Sequence, residues 1–243
     1  MRITLDPLAA TADGAIPFSG PDGRLGTLWS AHLPWTCRGT LLDLRIIAAE
    51  AIPLPDPEPS EPPESAVARV LQAIAGQGAL LALLNPGAAF GPDRVTFTEG
   101  VRLFAITTPE DLATWDAALS RGLPVYGLRG LIAADVFTPR PTGVISALAY
   151  GLFLCEENLR LTVFAEDRAG VTWTTDAPDA VATVIARGGF EIATIPGKTG
   201  QWKDLGNEAY IRVVIRSGDG ACWTQPRFIS PRRTTVAPGS HGH

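Results

Sequence analysis

Histidine is scarce in this chain: 243 residues contain three, and two of them, His241 and His243, fall in a Gly/Ser/Pro-rich stretch expected to be disordered. Only His32 is left for chemistry that needs a neutral imidazole near neutral pH. Cysteine is equally rare. Cys37, Cys155 and Cys222 are odd in number and far apart, and they show neither C-x-x-C nor metal-ligand spacing. They read as buried free thiols of a reducing compartment rather than as a disulfide. Basic residues are in deficit too. The net charge is −5 and the pI 5.2, and the densest basic cluster is Arg232–Arg233 beside Arg227. That leaves no electrostatic footprint for nucleic acid and disfavours an anionic membrane surface. No uncharged apolar run reaches the ~18–20 residues that span a bilayer, and the first residues lack the apolar core of a signal peptide. The expected setting is cytoplasmic, with neither nucleic acid nor membrane as partner.

What is present suits a folded core: 46% apolar residues and 19% charged. Arg2–Leu5 reads as a short strand followed by turn chemistry at Ala12-Asp13-Gly14 and Ser19-Gly20-Pro21-Asp22-Gly23. Leu41–Ala51 is strand-like, and Ile52–Glu64, mostly Pro, Glu and Asp, reads as an exposed loop. Ser65 is placed to cap a helix carrying Val67, Val70, Leu71 and Ile74, stopped by Gly76 and Gly78. Ala79–Leu84, Val101–Ile106 and Leu123–Leu128 read as buried strands. A helix lies between the last two, with Thr108 as N-cap, Pro109 at its first position and acids in its first turn. This alternation over 65–130 predicts parallel βαβ units. After a further helix at Thr142–Tyr150 the pattern turns to antiparallel hairpins around Asp167-Arg168, Gly188-Gly189 and Ser217-Gly218-Asp219-Gly220.

Several segments, in order, resemble the PHP (polymerase and histidinol phosphatase) superfamily of metal-dependent hydrolases, in the branch with a C-terminal β-rich extension. Tyr210-Ile211-Arg212-Val213, Gly218-Asp219-Gly220 and Ala221-Cys222-Trp223-Thr224-Gln225-Pro226 resemble that family's closing hairpin. Trp115 to Gly122, followed by Val125-Tyr126-Gly127-Leu128, resembles its Trp-Asp helix and next strand, and Ile145-Ser146-Ala147-Leu148 with Gly151 and Phe153 its later helix. The likeness covers roughly 65–230. It implies an α/β fold: an abridged or distorted PHP-type β/α barrel over residues 1–141, a C-terminal antiparallel β-rich domain over 142–233, and a tail over 234–243. A seven-unit barrel needs about 200 residues, and the region before 140 supplies about four or five units, so the expected loss falls between Gly14 and Leu41.

The family's metal ligands are largely replaced. Asp6 and Leu8 stand where it has a His-x-His pair, although Asp13-Gly14 is kept. Asn85-Pro86 stands for His-Pro, Leu128-Arg129-Gly130 follows the strand that should end in Asp-x-His, and His32 alone could be the remnant of its Thr-Asp-His segment. Leucine cannot ligate, an Asn oxygen is a poor ligand for Zn or Fe, and Arg129 would oppose a divalent cation. Asp6, Leu8, Asp13, His32 and Asn85 are therefore vestigial positions, and catalytic residues stay unassigned.

Three readings stay open. The first is a catalytically inactive PHP-like protein with a binding or assembly role and no cofactor. The second is a metal-dependent hydrolase or phosphoesterase holding a single Mg, Mn or Zn ion through Asp6, Asp13, Glu99 and Asp116. The third is carbohydrate or small-molecule binding through the β-rich half, with Trp173 and Trp202 as stacking rings. The bland alternatives are a packed imidazole at His32, turn residues at Asp6 and Asp13, exposed charges at Glu99 and Asp116, and core rings at the tryptophans. Pro196-Gly197-Lys198-Thr199-Gly200 reads as a hairpin loop rather than a phosphate loop. A homodimer is expected, since a shortened barrel bares strand edges.

Overall fold

A computed structural model describes residues 2–5, 15–19, 25–135 and 141–229. The first strands form an antiparallel run: β1 (Arg2–Leu5), β2 (Ala15–Ser19), β3 (Leu25–Cys37) and β4 (Thr40–Ala48). Helix and strand then alternate through α1 (Pro63–Ile74), β5 (Ala79–Leu83), the short α2 (Pro86–Ala89), β6 (Leu103–Ala105), α3 (Pro109–Ser120) and β7 (Tyr126–Leu128). As the alternation predicts, β5, β6 and β7 pair in parallel. Next come β8 (Leu131–Asp135), α4 (Pro141–Ala149) and β9 (Phe153–Glu157). The remainder is all strand: β10 (Leu161–Asp167), β11 (Gly170–Thr175), β12 (Val181–Ala186), β13 (Phe190–Pro196), β14 (Thr199–Lys203), β15 (Tyr210–Ser217), β16 (Gly220–Thr224) and β17 (Arg227–Phe228).

Among the described residues fourteen strands join one curled sheet, in the order β13-β12-β15-β16-β9-β8-β1-β2-β3-β4-β5-β6-β7 with β17 on β15, and β10-β11-β14 form a second sheet. This overturns the expected α/β fold with a distorted β/α barrel. Only three neighbouring strands are parallel, and the curl is built mainly from antiparallel neighbours. Strands from both sides of position 141 belong to this sheet.

The physical reason lies in the segment thought to have been lost. Between Gly14 and Leu41 stand β2 and a thirteen-residue β3, paired with β4 from Trp29↔Ala48 to Cys37↔Thr40. Along β3 the buried positions change parity, from Leu28 and Ser30 to Trp35 and Cys37, so no single alternation marks it as a strand. α1 also begins three residues earlier than Ser65 predicts, because Pro62 occupies the N-cap and Pro63 the first turn.

β15 shows how the C-terminal half is layered. Ile211, Val213 and Ile215 point to one face, where they meet Ala182 and Val184 of β12 and Leu161, Val171 and Trp173 of the second sheet. Tyr210 and Val214 point the other way, into the main core with Trp115, Leu119 and Trp223. Burial on both faces explains its nearly continuous apolar run. Every residue from Tyr210 to Ile215 is buried, including Arg212.

Candidate functional site

The sequence-predicted residues that the structure describes do not assemble into one centre. Asp6, Leu8 and Asp13 lie outside the described residues, as does the tail 234–243. His32 is exposed on β3, and its Nε2 bonds the Asp43 carboxylate across the β3–β4 pair. Asn85 stands at the N-cap of α2; its Nδ2 donates to the Leu41 carbonyl at 3.0 Å and its Oδ1 accepts from Asp43 N–H at 3.0 Å. Asp43 thus joins His32 to Asn85, and Asn85 fastens the end of β5 to β4. Glu99 is exposed at the end of a 3-10 turn. Among the described residues no three His, Cys, Asp or Glu side chains come together in a cluster able to hold a metal ion.

Asp116 departs most from its expected place. It is buried rather than exposed, on the face of α3 turned toward β15. Arg212 donates to it twice, Nε to Oδ1 at 3.1 Å and Nη2 to Oδ2 at 2.9 Å, and the Tyr210 hydroxyl donates to Oδ1 at 2.7 Å. The guanidinium lies 4.9 Å from the Trp115 ring and 5.6 Å from that of Trp223, a cation–π arrangement that offsets part of its desolvation. Burial, then the Asp116 charge, push the Tyr210 hydroxyl far above its ordinary range, so it remains a donor. Gly189 (φ +76°) closes the cluster: a Cβ there would come within 2.7 Å of Asp116 Oδ2, while its N–H donates to the Tyr210 hydroxyl at 3.2 Å. The group ties α3 to the sheet through three side-chain hydrogen bonds.

A second lock lies at β7. Gln225, just past β16, accepts from Gly127 N–H and donates to the Gly127 carbonyl, both at 2.9 Å. One side-chain amide therefore stands in for a strand partner along the free edge of β7. Nearby, Arg129 donates to Glu157 at 3.0 Å and lies 4.8 Å from the Trp223 ring, so its charge is paired within the structure. Burial first, with Glu157 adding to it, pushes the Cys155 thiol up to about 12 despite opposing hydrogen bonds, which makes it inert.

The described residues also form an open-sided cleft of about 520 Å³ where the two sheets part. One wall is 150–154, the turn from α4 into β9; the other is β10 at 161–164 with Glu166; Gln225 and Pro226 close an end. β10 is an edge strand of its sheet among the described residues. The walls carry exposed apolar surface: Tyr150 is 71% exposed, Leu152 53% and Val163 52%. Gly151 (φ +67°) ends α4 here, and a Cβ on it would meet the Tyr126 ring at 2.3 Å, so only glycine lets that ring pack beneath the turn. Tyr126 in turn meets Phe153 edge to face, with centroids 6.5 Å apart.

The polar end of the cleft is built on Glu166. Arg227 donates to Asp204 Oδ2 through Nε at 3.1 Å and Nη2 at 2.9 Å, and its Nη1 reaches Glu166 only at 4.0 Å. The 204–209 loop holding Asp204 is organised by buried Glu208, which accepts N–H bonds from Leu205 (2.6 Å), Gly206 (2.7 Å) and Asn207 (2.9 Å). Burial raises the Glu208 pKa and these backbone donors lower it; the donors win. Burial pushes Glu166 the other way, above the ordinary carboxylate value, with Arg227 opposing and Asp204 reinforcing the rise.

Of the two rings expected to stack on a sugar, Trp173 is buried in the core between the sheets, and Trp202 is half-buried against the same core. Sequence reasoning missed Glu166, whose place on a strand carries no local signal. It quoted Gln225-Pro226 in the closing hairpin without a role, and that was the one available pointer. Comparison with protein-family models, with curated proteins and with solved structures finds no match to this chain. No helix among the described residues is long and apolar enough to cross a membrane.

Proposed function

We propose that this chain binds a small, largely apolar molecule in the cleft between β9 and β10. The observation that carries the reading is uncovered apolar surface in a concavity of suitable size: known small-molecule sites run about 300–1,000 Å³, mostly apolar with a few placed polar groups. Leu152, Val163 and Tyr150 supply the apolar wall, and Glu166 the polar feature. A carbohydrate is a poorer match, because among the described residues only Tyr150, Thr162, Glu166 and Gln225 line it with polar side-chain atoms, and the Gln225 amide is already bonded to Gly127. The likeness to PHP hydrolases carries no weight here, since the barrel it implies is not the fold. A cytoplasmic setting belongs to the same proposal, supported by three free and buried cysteines.

The test is a thermal-shift screen of a chemically diverse metabolite set against the native chain, repeated on Val163→Arg. Saturable hits abolished by Val163→Arg support the reading. Hits that ignore the substitution, or no hits at all, contradict it.

A further inference from the structure

We propose that the molecule taken by this cleft carries a cationic amine, seated against the Glu166 carboxylate with its apolar body along Leu152, Phe153 and Val163. This rests on the reading of the cleft as a ligand site and adds the chemical class of the ligand. Among the polar side chains of the walls, only Glu166 is charged and uncommitted. The Gln225 amide is used at both ends on Gly127, and the Thr162 hydroxyl donates to the Thr174 carbonyl at 3.2 Å. Glu166 accepts no hydrogen bond from a described side chain; its nearest cationic atom is Arg227 Nη1 at 4.0 Å.

Charge arithmetic gives the sign of the ligand. Two carboxylates, Asp204 and Glu166, face one guanidinium, and Arg227 directs both of its short bonds to Asp204. The carboxylate that lines the cleft is thereby left without a close cation among the described residues. An anionic ligand would meet that charge directly, whereas an ammonium would supply the charge-assisted bond that Glu166 lacks. The penalty for holding Glu166 ionised in partial burial points the same way, because an incoming cation relieves it. Aromatic surface is also at hand: Phe164 lines the cleft, and Tyr126 lies close enough beneath the wall to sense the Glu166 charge. The charged and titratable groups that act on Glu166 are therefore Arg227, Asp204 and Tyr126, and Arg102 in turn acts on the Tyr126 hydroxyl.

The experiment is calorimetric titration of the native chain with three matched probes: 4-phenylbutylamine, 4-phenylbutanol and 4-phenylbutyrate. Near neutral pH the amine is expected to bind about tenfold or more tightly than the alcohol, as a charge-assisted bond implies, and the carboxylate more weakly than either. In Glu166→Gln the amine's advantage should fall to within about twofold while the alcohol's affinity is kept. In the native chain the advantage should also fade as pH drops through the raised Glu166 pKa. Equal binding of amine and alcohol, or an advantage that survives Glu166→Gln, overturns the amine assignment and leaves the cleft reading standing. Failure of all three probes to bind overturns both.

Discussion

Asp116 and Glu166 each face an arginine carried by the C-terminal strands, Arg212 on β15 and Arg227 on β17, but their surroundings differ. Asp116 accepts three hydrogen bonds in a buried setting, two of them from a guanidinium that itself lies against two tryptophan rings. Glu166 has a side chain 41% exposed, a 4.0 Å approach from an arginine committed elsewhere, and an empty apolar wall beside it. The comparison teaches where to look for function in this chain. A buried charge paired with a neighbouring element holds elements together. A charge left incompletely satisfied beside uncovered apolar surface is available to a ligand.

The difference can be tested from the structural side first. Asp116→Ala should be the most damaging change, because it strands a buried guanidinium; breaking a buried pair in this way costs about 3–5 kcal/mol. Urea unfolding should show the loss, and Asp116→Ala with native-like stability would show that α3 is held otherwise. Gln225→Ala should come next. It leaves the Gly127 N–H without its side-chain acceptor and the carbonyl with only the weak Cys155 thiol donor, at about 1–3 kcal/mol for a group that water cannot reach. Hydrogen exchange should accelerate at Gly127 before it does in β15.

Glu208→Gln should cost less, about 1–2 kcal/mol, because the amide keeps one acceptor oxygen and turns an NH2 donor toward the remaining backbone N–H groups. The sign of its pH dependence follows from its lowered pKa. The stabilisation is complete above the ordinary value of 4.5 and is lost as pH falls through the folded value, so the gap between native and Glu208→Gln should close in acid. A gap independent of pH would mean that the backbone donors do not recognise the charge. Glu166→Gln should be the smallest in stability, within about 0.5 kcal/mol, as expected of a partly exposed charge with one distant partner. Its effect should appear in ligand affinity instead.

How much of this was legible depended on how local the determinants were. α3 was readable because Thr108 and Asp111 form a capping box and Pro109 fits the first turn, all within four residues. The parallel β5–β6–β7 set and the β15–β16 hairpin were readable for the same reason, through helix–strand alternation and the turn at 217–220. β3 was not, because its buried face changes midway. The burial of Asp116 was hidden as well, since its partner lies 96 residues away and only the completed sheet brings them together. His32 lacks an acid neighbour in sequence yet finds Asp43 across a hairpin. The cleft was the least legible feature, because three separated segments build it and none carries a motif. The resemblance that suggested a β/α barrel rested on short strand and helix patterns, which an antiparallel sheet accommodates equally well.

The most direct measurement is amide chemical-shift mapping of the native chain titrated with 4-phenylbutylamine. The account predicts saturable shifts concentrated at 151–154 and 161–166, with the amides of 115–121 and 187–189 unmoved. Shifts confined to the α3 side, or none anywhere at saturating probe, would contradict it.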